Sequence, residues 1–168
     1  MTDTLSAAIL PLHGTPSPAL VALNNDHAAE LSFLTPERFA ALIGEAFLAC
    51  RIGEADALLL AFDQAADYDS PNFLWFRERF GRFVYVDRIV VAGSARGRGL
   101  ARLLYEALFD RVRAAGHERV VCEVNADPPN PASDAFHAAL GFVEVGSALL
   151  PNGKTVRYFE RPLGEAQA

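Results

Sequence analysis

Apolar and polar positions follow two periods along this chain. Leu100, Leu103, Leu104, Ala107 and Leu108 recur at intervals of three and four, which predicts an amphipathic helix over 100–115 ended at Gly116. Short apolar runs at 47–52, 57–62, 83–92, 120–124, 142–148 and 156–160 predict strands. Gly53-Glu54-Ala55-Asp56 joins the first two as a hairpin, and Pro151-Asn152-Gly153 joins the last two. Thr35-Pro36-Glu37 opens a helix with a cap, a proline and an acid, and Phe39, Leu42 and Ile43 form its apolar face. Residues 20–24 read as a first strand ended by Asn24-Asn25-Asp26, followed by a short helical stretch over 27–31. The prolines at 128, 129 and 131 break the chain before a helix over 132–140 that stops at Gly141. Residues 1–18 read as a loosely structured segment ahead of a single domain over 19–168. Hairpins mixed with strand–helix–strand crossovers predict an α/β fold, a mixed sheet with helices on both faces.

Composition narrows the class. Half of the residues are hydrophobic (51%), which argues against disorder. Fifteen Lys+Arg against 21 Asp+Glu give a formal charge of −6, unsuited to general nucleic-acid binding. Cys50 and Cys122 lie in apolar runs and read as buried free thiols in a reducing, cytoplasmic setting. No run reaches membrane-spanning length and no metal-ligand spacing occurs, so neither a membrane nor a metal is expected.

Against this acidic background, Arg96, Arg98 and Arg102 cluster with Gly93, Gly97 and Gly99 between the strand at 83–92 and the long helix. A strand, a glycine turn and a helix start present unpaired backbone N–H groups, a seat for phosphate. The dinucleotide fingerprint fails because Arg102 stands where its third glycine belongs, and no lysine completes a P-loop. A solvated glycine–arginine turn is the alternative reading. Within the strand, Tyr85, Asp87, Ile89 and Val91 alternate onto one face, and Arg88 points to the other. A strand interior is a poor place for an unpaired acid, so Asp87 is either a working group or the salt-bridge partner of Arg88 or Arg157. Glu123 is a second carboxylate inside a strand. Tyr68, Phe73, Leu74, Trp75, Phe76 and Phe80 form an aromatic insert, read as a lid over an acceptor pocket, a strap over the core or a homodimer contact.

Arg96-Gly97-Arg98-Gly99-Leu100-Ala101 resembles the pyrophosphate motif Q/R-x-x-G-x-G/A of the GNAT superfamily of acyl-CoA-dependent N-acetyltransferases. The predicted element order is similar to that fold, over roughly 19–161. Asn130-Pro131-Ala132-Ser133 through Phe136-His137 and Gly141-Phe142 resembles its second motif. The resemblance implies a sheet splayed between the strands at 83–92 and 120–124. It implies acetyl-CoA as co-substrate, held by Ile89, Val90, Val91, the run Arg96 to Arg102, Asn130, Ser133 and Phe136. It implies transfer of an acetyl or short acyl group to a primary amine, a small-molecule acceptor, by direct attack. Asp87 falls at the family's base, with Glu123 as the alternative. His137 stands where most members place the tyrosine proposed as the acid, or it is a packed helix residue. Asn25, Tyr68, Asn72, Trp75 and Tyr85 are the candidates for acceptor contacts. A non-catalytic acyl-CoA-binding module is the competing reading; it would need neither Asp87 nor His137.

Overall fold

The computed structural model describes residues 9–29, 31–127 and 129–164. The elements run β1 (Ile9–Pro11), α1 (Pro18–Asn25), α2 (Pro36–Glu45), β2 (Leu48–Ile52), β3 (Ala57–Asp63), α3 (Pro71–Arg77), β4 (Val84–Val91), α4 (Leu100–Ala114), β5 (Arg119–Asn125), α5 (Pro131–Ala139), β6 (Val143–Leu149) and β7 (Thr155–Pro162). The strands order as β1-β2-β3-β4-β5-β7-β6 in one seven-stranded sheet, mixed and flanked by helices as expected. Ladders β1–β2, β2–β3, β5–β7 and β6–β7 are antiparallel. The β4–β5 ladder is parallel and joins only Val84↔Val120 and Tyr85↔Val121. A parallel pair needs a crossover, and α4 supplies it.

The described residues group into two compact units: those up to 67 with 86–108, and 68–85 with those from 109 onward. In the first, β3 is buried along nearly its whole length, with Phe39, Leu42 and Ile43 of α2 also in the core. In the second, Phe73, Phe76, Phe83, Tyr85, Val120, Val121 and Tyr158 are all at most 1% exposed. Both cysteines are buried thiols, and burial pushes the Cys50 thiol up to about 11.

Two local predictions fail. Residues 20–24 form part of helix α1, not a strand. Ser17 caps it, its hydroxyl accepting from the Leu20 N–H at 3.3 Å, and Pro18 occupies the first turn. Leu20, Leu23 and Asn24 are buried together at a three-to-four spacing, so the helical period decides the element. Of the helical stretch expected over 27–31, residues 27–29 are turns and Leu31 is a bend, with the His27 N–H on Asn24 O and the Leu31 N–H on His27 O; residue 30 lies outside the described residues. Of residues 1–18, expected to be loose, Ile9–Pro11 form the leading strand β1, Pro18 opens α1, and residues 1–8 lie outside the described residues.

Candidate active site

In the first unit β4 ends at Val91, a 3-10 turn covers Gly93–Ala95, and α4 begins at Leu100. Ala95 and Leu100 are buried and anchor the two ends of the turn, while Arg96 to Gly99 are exposed. Gly97 and Gly99 have φ of +79° and +71°, a region that side-chain-bearing residues avoid. A Cβ at either would meet nothing within 4 Å. The glycines therefore serve the backbone path, and the space above them is open to a ligand. The first-turn N–H groups of a helix have no intrahelical acceptor, which makes a helix start of this kind suited to an anion. Arg98 lies 3.6 Å from Asp56 and Arg102 lies 3.3 Å from Glu106; these side chains are half-exposed. Asp56 also accepts the Ala92 N–H through its backbone carbonyl at 2.8 Å, tying the β2–β3 turn to the end of β4. Nothing in the sequence singled out Asp56.

Beside the turn is a pocket of about 200 Å³ lined by His27, Leu31, Ile89, Val90, Val91 and Arg96. The loop that brings His27 and Leu31 there is fastened by buried polar groups. Arg88 Nε donates to Asp87 at 2.7 Å, and the two side chains are 4% and 5% exposed. Arg88 Nη1 donates to Asn24 Oδ1 at 2.8 Å, and Nη2 reaches the Ser32 hydroxyl at 3.4 Å. Asn24 Nδ2 donates to Ser32 O at 2.9 Å. Asn25 clamps Leu34 from both sides, its Oδ1 accepting from the backbone N–H and its Nδ2 donating to the carbonyl. Asn25, a candidate acceptor contact, is thus engaged in holding the loop. Asp87 does pair with Arg88, one of the two cations the sequence offered.

The second unit holds the other candidates. Tyr85 donates its hydroxyl to Glu123 Oε2 at 2.7 Å. Tyr158, opposite Glu123 in the β5–β7 register, donates to Asn72 Oδ1 at 2.8 Å. Burial, and then the Glu123 charge, push the Tyr158 phenol up to about 12, so it stays a neutral donor. Trp75 stacks on Tyr158 with ring centres 4.1 Å apart, and the Arg79 guanidinium sits 3.9 Å from the Trp75 ring centre. Tyr68 lies against Phe73 at 5.6 Å. The aromatic insert is therefore a short helix joined to its own unit's core. Tyr158 had no signal in the sequence beyond its place in an apolar run.

His137 is buried on α5. Its Nδ1 lies 2.7 Å from Ser133 O, and a carbonyl only accepts, so Nδ1 carries the proton and Nε2 the lone pair. Burial lowers its pKa below the ordinary 6.5, opposed by the Ser133 bond and the Asp134 charge. Phe136 meets the ring edge-on, with centres 5.6 Å apart. Asn130, a candidate cofactor contact, caps α5 by accepting the Ser133 N–H at 3.1 Å. Arg157, the other cation weighed for Asp87, pairs with Asp134 and with Glu144.

A glycine–arginine turn between a central strand and a long helix, in a mixed sheet of this order, defines a class. Residues 39–142 match the Acetyltransferase (GNAT) family, and the chain belongs to it. It is 39% identical over 80 residues to a phosphinothricin N-acetyltransferase of Streptomyces coelicolor, covering 45% of this chain and 46% of that protein. The chain thus spans about half the length of that curated relative. A rice protein described as a probable glucosamine 6-phosphate N-acetyltransferase is 29% identical over 120 residues, covering 67% of this chain and 68% of its own. Among solved structures, yncA of Salmonella typhimurium with its cofactor acetyl-CoA superposes with a TM-score of 0.68 at 17% identity, covering 95% of both chains. The ribosomal-protein-S18-alanine N-acetyltransferase of Escherichia coli superposes with a TM-score of 0.64 at 20% identity, over 95% of this chain and 97% of the other. At such identities the likeness is one of fold.

Proposed function

We propose that this protein transfers an acetyl or other short acyl group from an acyl-CoA to a primary amine. The observation that carries the reading is the pair of left-handed glycines, Gly97 and Gly99, under open space at the start of α4. The turn seats the pyrophosphate on backbone N–H groups from Arg96 to Ala101, with the helix dipole and the arginines adding positive potential. Ser133 and Phe136 remain cofactor candidates on α5.

Direct transfer needs a neutral amine. Its nitrogen attacks the thioester carbonyl carbon, the C–S bond breaks, the amine proton leaves to a base, and the thiolate is protonated. Backbone N–H groups near Ile89 and Val90 are the donors proposed to polarise the carbonyl. Asp87 already balances the buried Arg88 guanidinium, so we assign proton removal to Glu123. Its bond from Tyr85 fixes the carboxylate's orientation. His137 in the acid role needs its imidazolium form, which burial disfavours; its contribution to protonating the thiolate therefore grows as pH falls.

The test is release of free thiol from acetyl-CoA across a panel of amino acids, amino sugars, aminoglycosides, phosphinothricin and glucosamine 6-phosphate. We expect release above hydrolysis with at least one primary amine, lost in Glu123→Gln more than in Asp87→Asn. Coenzyme A binding with no turnover across the panel would instead mark a binding module.

A further inference from the structure

We propose that His27 and Leu31 form a wall of the acyl-CoA site and that His27 Nε2 accepts a hydrogen bond from the pantetheine arm. This rests on the acyl-CoA reading above. It assigns a role to a loop that neither the cradle motif nor the α5 motif includes.

Three observations carry it. The pocket beside the cradle is lined on one side by Ile89, Val90 and Val91 at the end of β4 and by Arg96 at the first position of the cradle. It thus lies along the chain between the proposed carbonyl-polarising N–H groups and the proposed pyrophosphate seat, the stretch an arm joining thioester to pyrophosphate must follow. Among the described residues, His27 and Leu31 complete its lining.

The tautomer of His27 is fixed. Its Nδ1 lies 2.9 Å from Leu23 O, the backbone carbonyl one helical turn earlier. A carbonyl only accepts, so Nδ1 carries the proton of the neutral ring and Nε2 is left as an acceptor. The arm offers two amide N–H groups and a hydroxyl, donors of the matching kind, on an otherwise apolar chain that suits Leu31 and the valines. An anionic group would be repelled by that lone pair.

The loop is also held more firmly than a surface turn requires. A buried guanidinium binds Asp87, Asn24 and Ser32, and Asn24 and Asn25 secure Ser32 and Leu34. His27 falls between those fastened points, with its own N–H on Asn24 O. Such a network is costly to bury unless every member is satisfied, and it fixes geometry. Asp87 then acts as a positioning residue, through Arg88, on the wall of the donor site.

Two probes separate the arm from the nucleotide end: coenzyme A, and adenosine 3′,5′-diphosphate, which lacks the arm. Dissociation constants are measured by calorimetry for wild type, His27→Phe, which keeps a ring but no acceptor, and His27→Gln, which restores an acceptor oxygen. We expect His27→Phe to weaken coenzyme A by about 5- to 10-fold, the size of one net hydrogen bond. Adenosine 3′,5′-diphosphate binding should be unchanged, and His27→Gln should recover most of the loss. The unchanged probe doubles as proof that the cradle is folded. Equal coenzyme A affinity in wild type and His27→Phe overturns the proposal, as does an equal loss for both probes. A rise confined to the KM of the amine acceptor overturns it too, by placing His27 on the acceptor side. Failure of wild type to bind either probe would instead sink the acyl-CoA reading itself.

Discussion

The two units bury their polar groups in opposite ways. In the first, a full charge is taken inside and shared: Arg88 is 4% exposed and divides its donors among Asp87, Asn24 and Ser32. In the second, polar atoms ride on the tips of aromatic rings. Tyr85 and Tyr158 are each 1% exposed and hand one hydroxyl apiece to Glu123 and Asn72, while the ring bodies fill the core. The first arrangement derives its strength from electrostatic balance and fails when one partner is removed. The second derives it from volume and fails when space is misfilled. The ionic staple fixes a loop from outside it, through Arg88 of β4; the aromatic block fixes itself.

The largest expected effect breaks the staple. Arg88→Ala removes the guanidinium paired with the buried Asp87 and should cost about 3–5 kcal/mol in denaturant unfolding. Arg88→Met combined with Asp87→Asn removes both charges and should cost clearly less than Arg88→Ala alone. Additive losses in that cycle would show that the pair is not coupled.

A smaller effect probes the aromatic block by volume. A Cβ on Gly146 would stand 2.5 Å from Trp75 Cζ2 and 2.7 Å from Cη2. The ring is backed by Tyr158 and lies edge-on to Phe76, so it has little room to retreat. Gly146→Ala should cost about 1–3 kcal/mol. It should also shift the emission of Trp75, the single tryptophan of the chain. Unchanged stability and emission would mean that the stack yields freely.

The smallest effect is pH-linked. Burial disfavours imidazolium at His137 in the folded chain, whereas the unfolded chain takes up the proton at the ordinary 6.5. The unfolded state then binds more protons below about that pH, so stability should fall as pH drops through it and be unaffected above. His137→Phe should flatten that part of the profile. In turnover the wild-type advantage over His137→Phe should be greatest at low pH and vanish at high pH; an advantage that grows with pH would remove His137 from the acid role.

Much of this was legible in the sequence. The hairpin at Gly53 to Asp56, the long helix, and the turn at Arg96 to Gly99 all obey local rules, and each falls where its pattern puts it. α1 was misread because Leu20 to Asn24 is a short apolar run whose period is ambiguous over five residues; the deciding cue was Ser17-Pro18 ahead of it. The candidate site was legible as motifs and less so as partnerships. That Asn25, Asn72 and Asn130 hold Leu34, Tyr158 and the α5 N-terminus depends on contacts 9, 86 and 3 residues away. Of these only the last is local enough to be read from spacing. His27 carried no periodic or motif signal, because its place depends on a loop fastened by a residue 64 positions from Asn24.

If the turn at Gly97 and Gly99 seats the pyrophosphate of an acyl-CoA, charge placed on the turn must act on binding. Coenzyme A is titrated into wild type, Gly99→Asn and Gly99→Asp. The two variants share nearly the same shape and the same strain at φ +71°, and differ in charge. Wild type should bind in the micromolar range, on the order of −8 kcal/mol. Gly99→Asn should weaken binding modestly, and Gly99→Asp by roughly 100-fold or more, the charge acting at the anion itself. Wild-type affinity in Gly99→Asp, or equal affinities in the two variants, would contradict the claim.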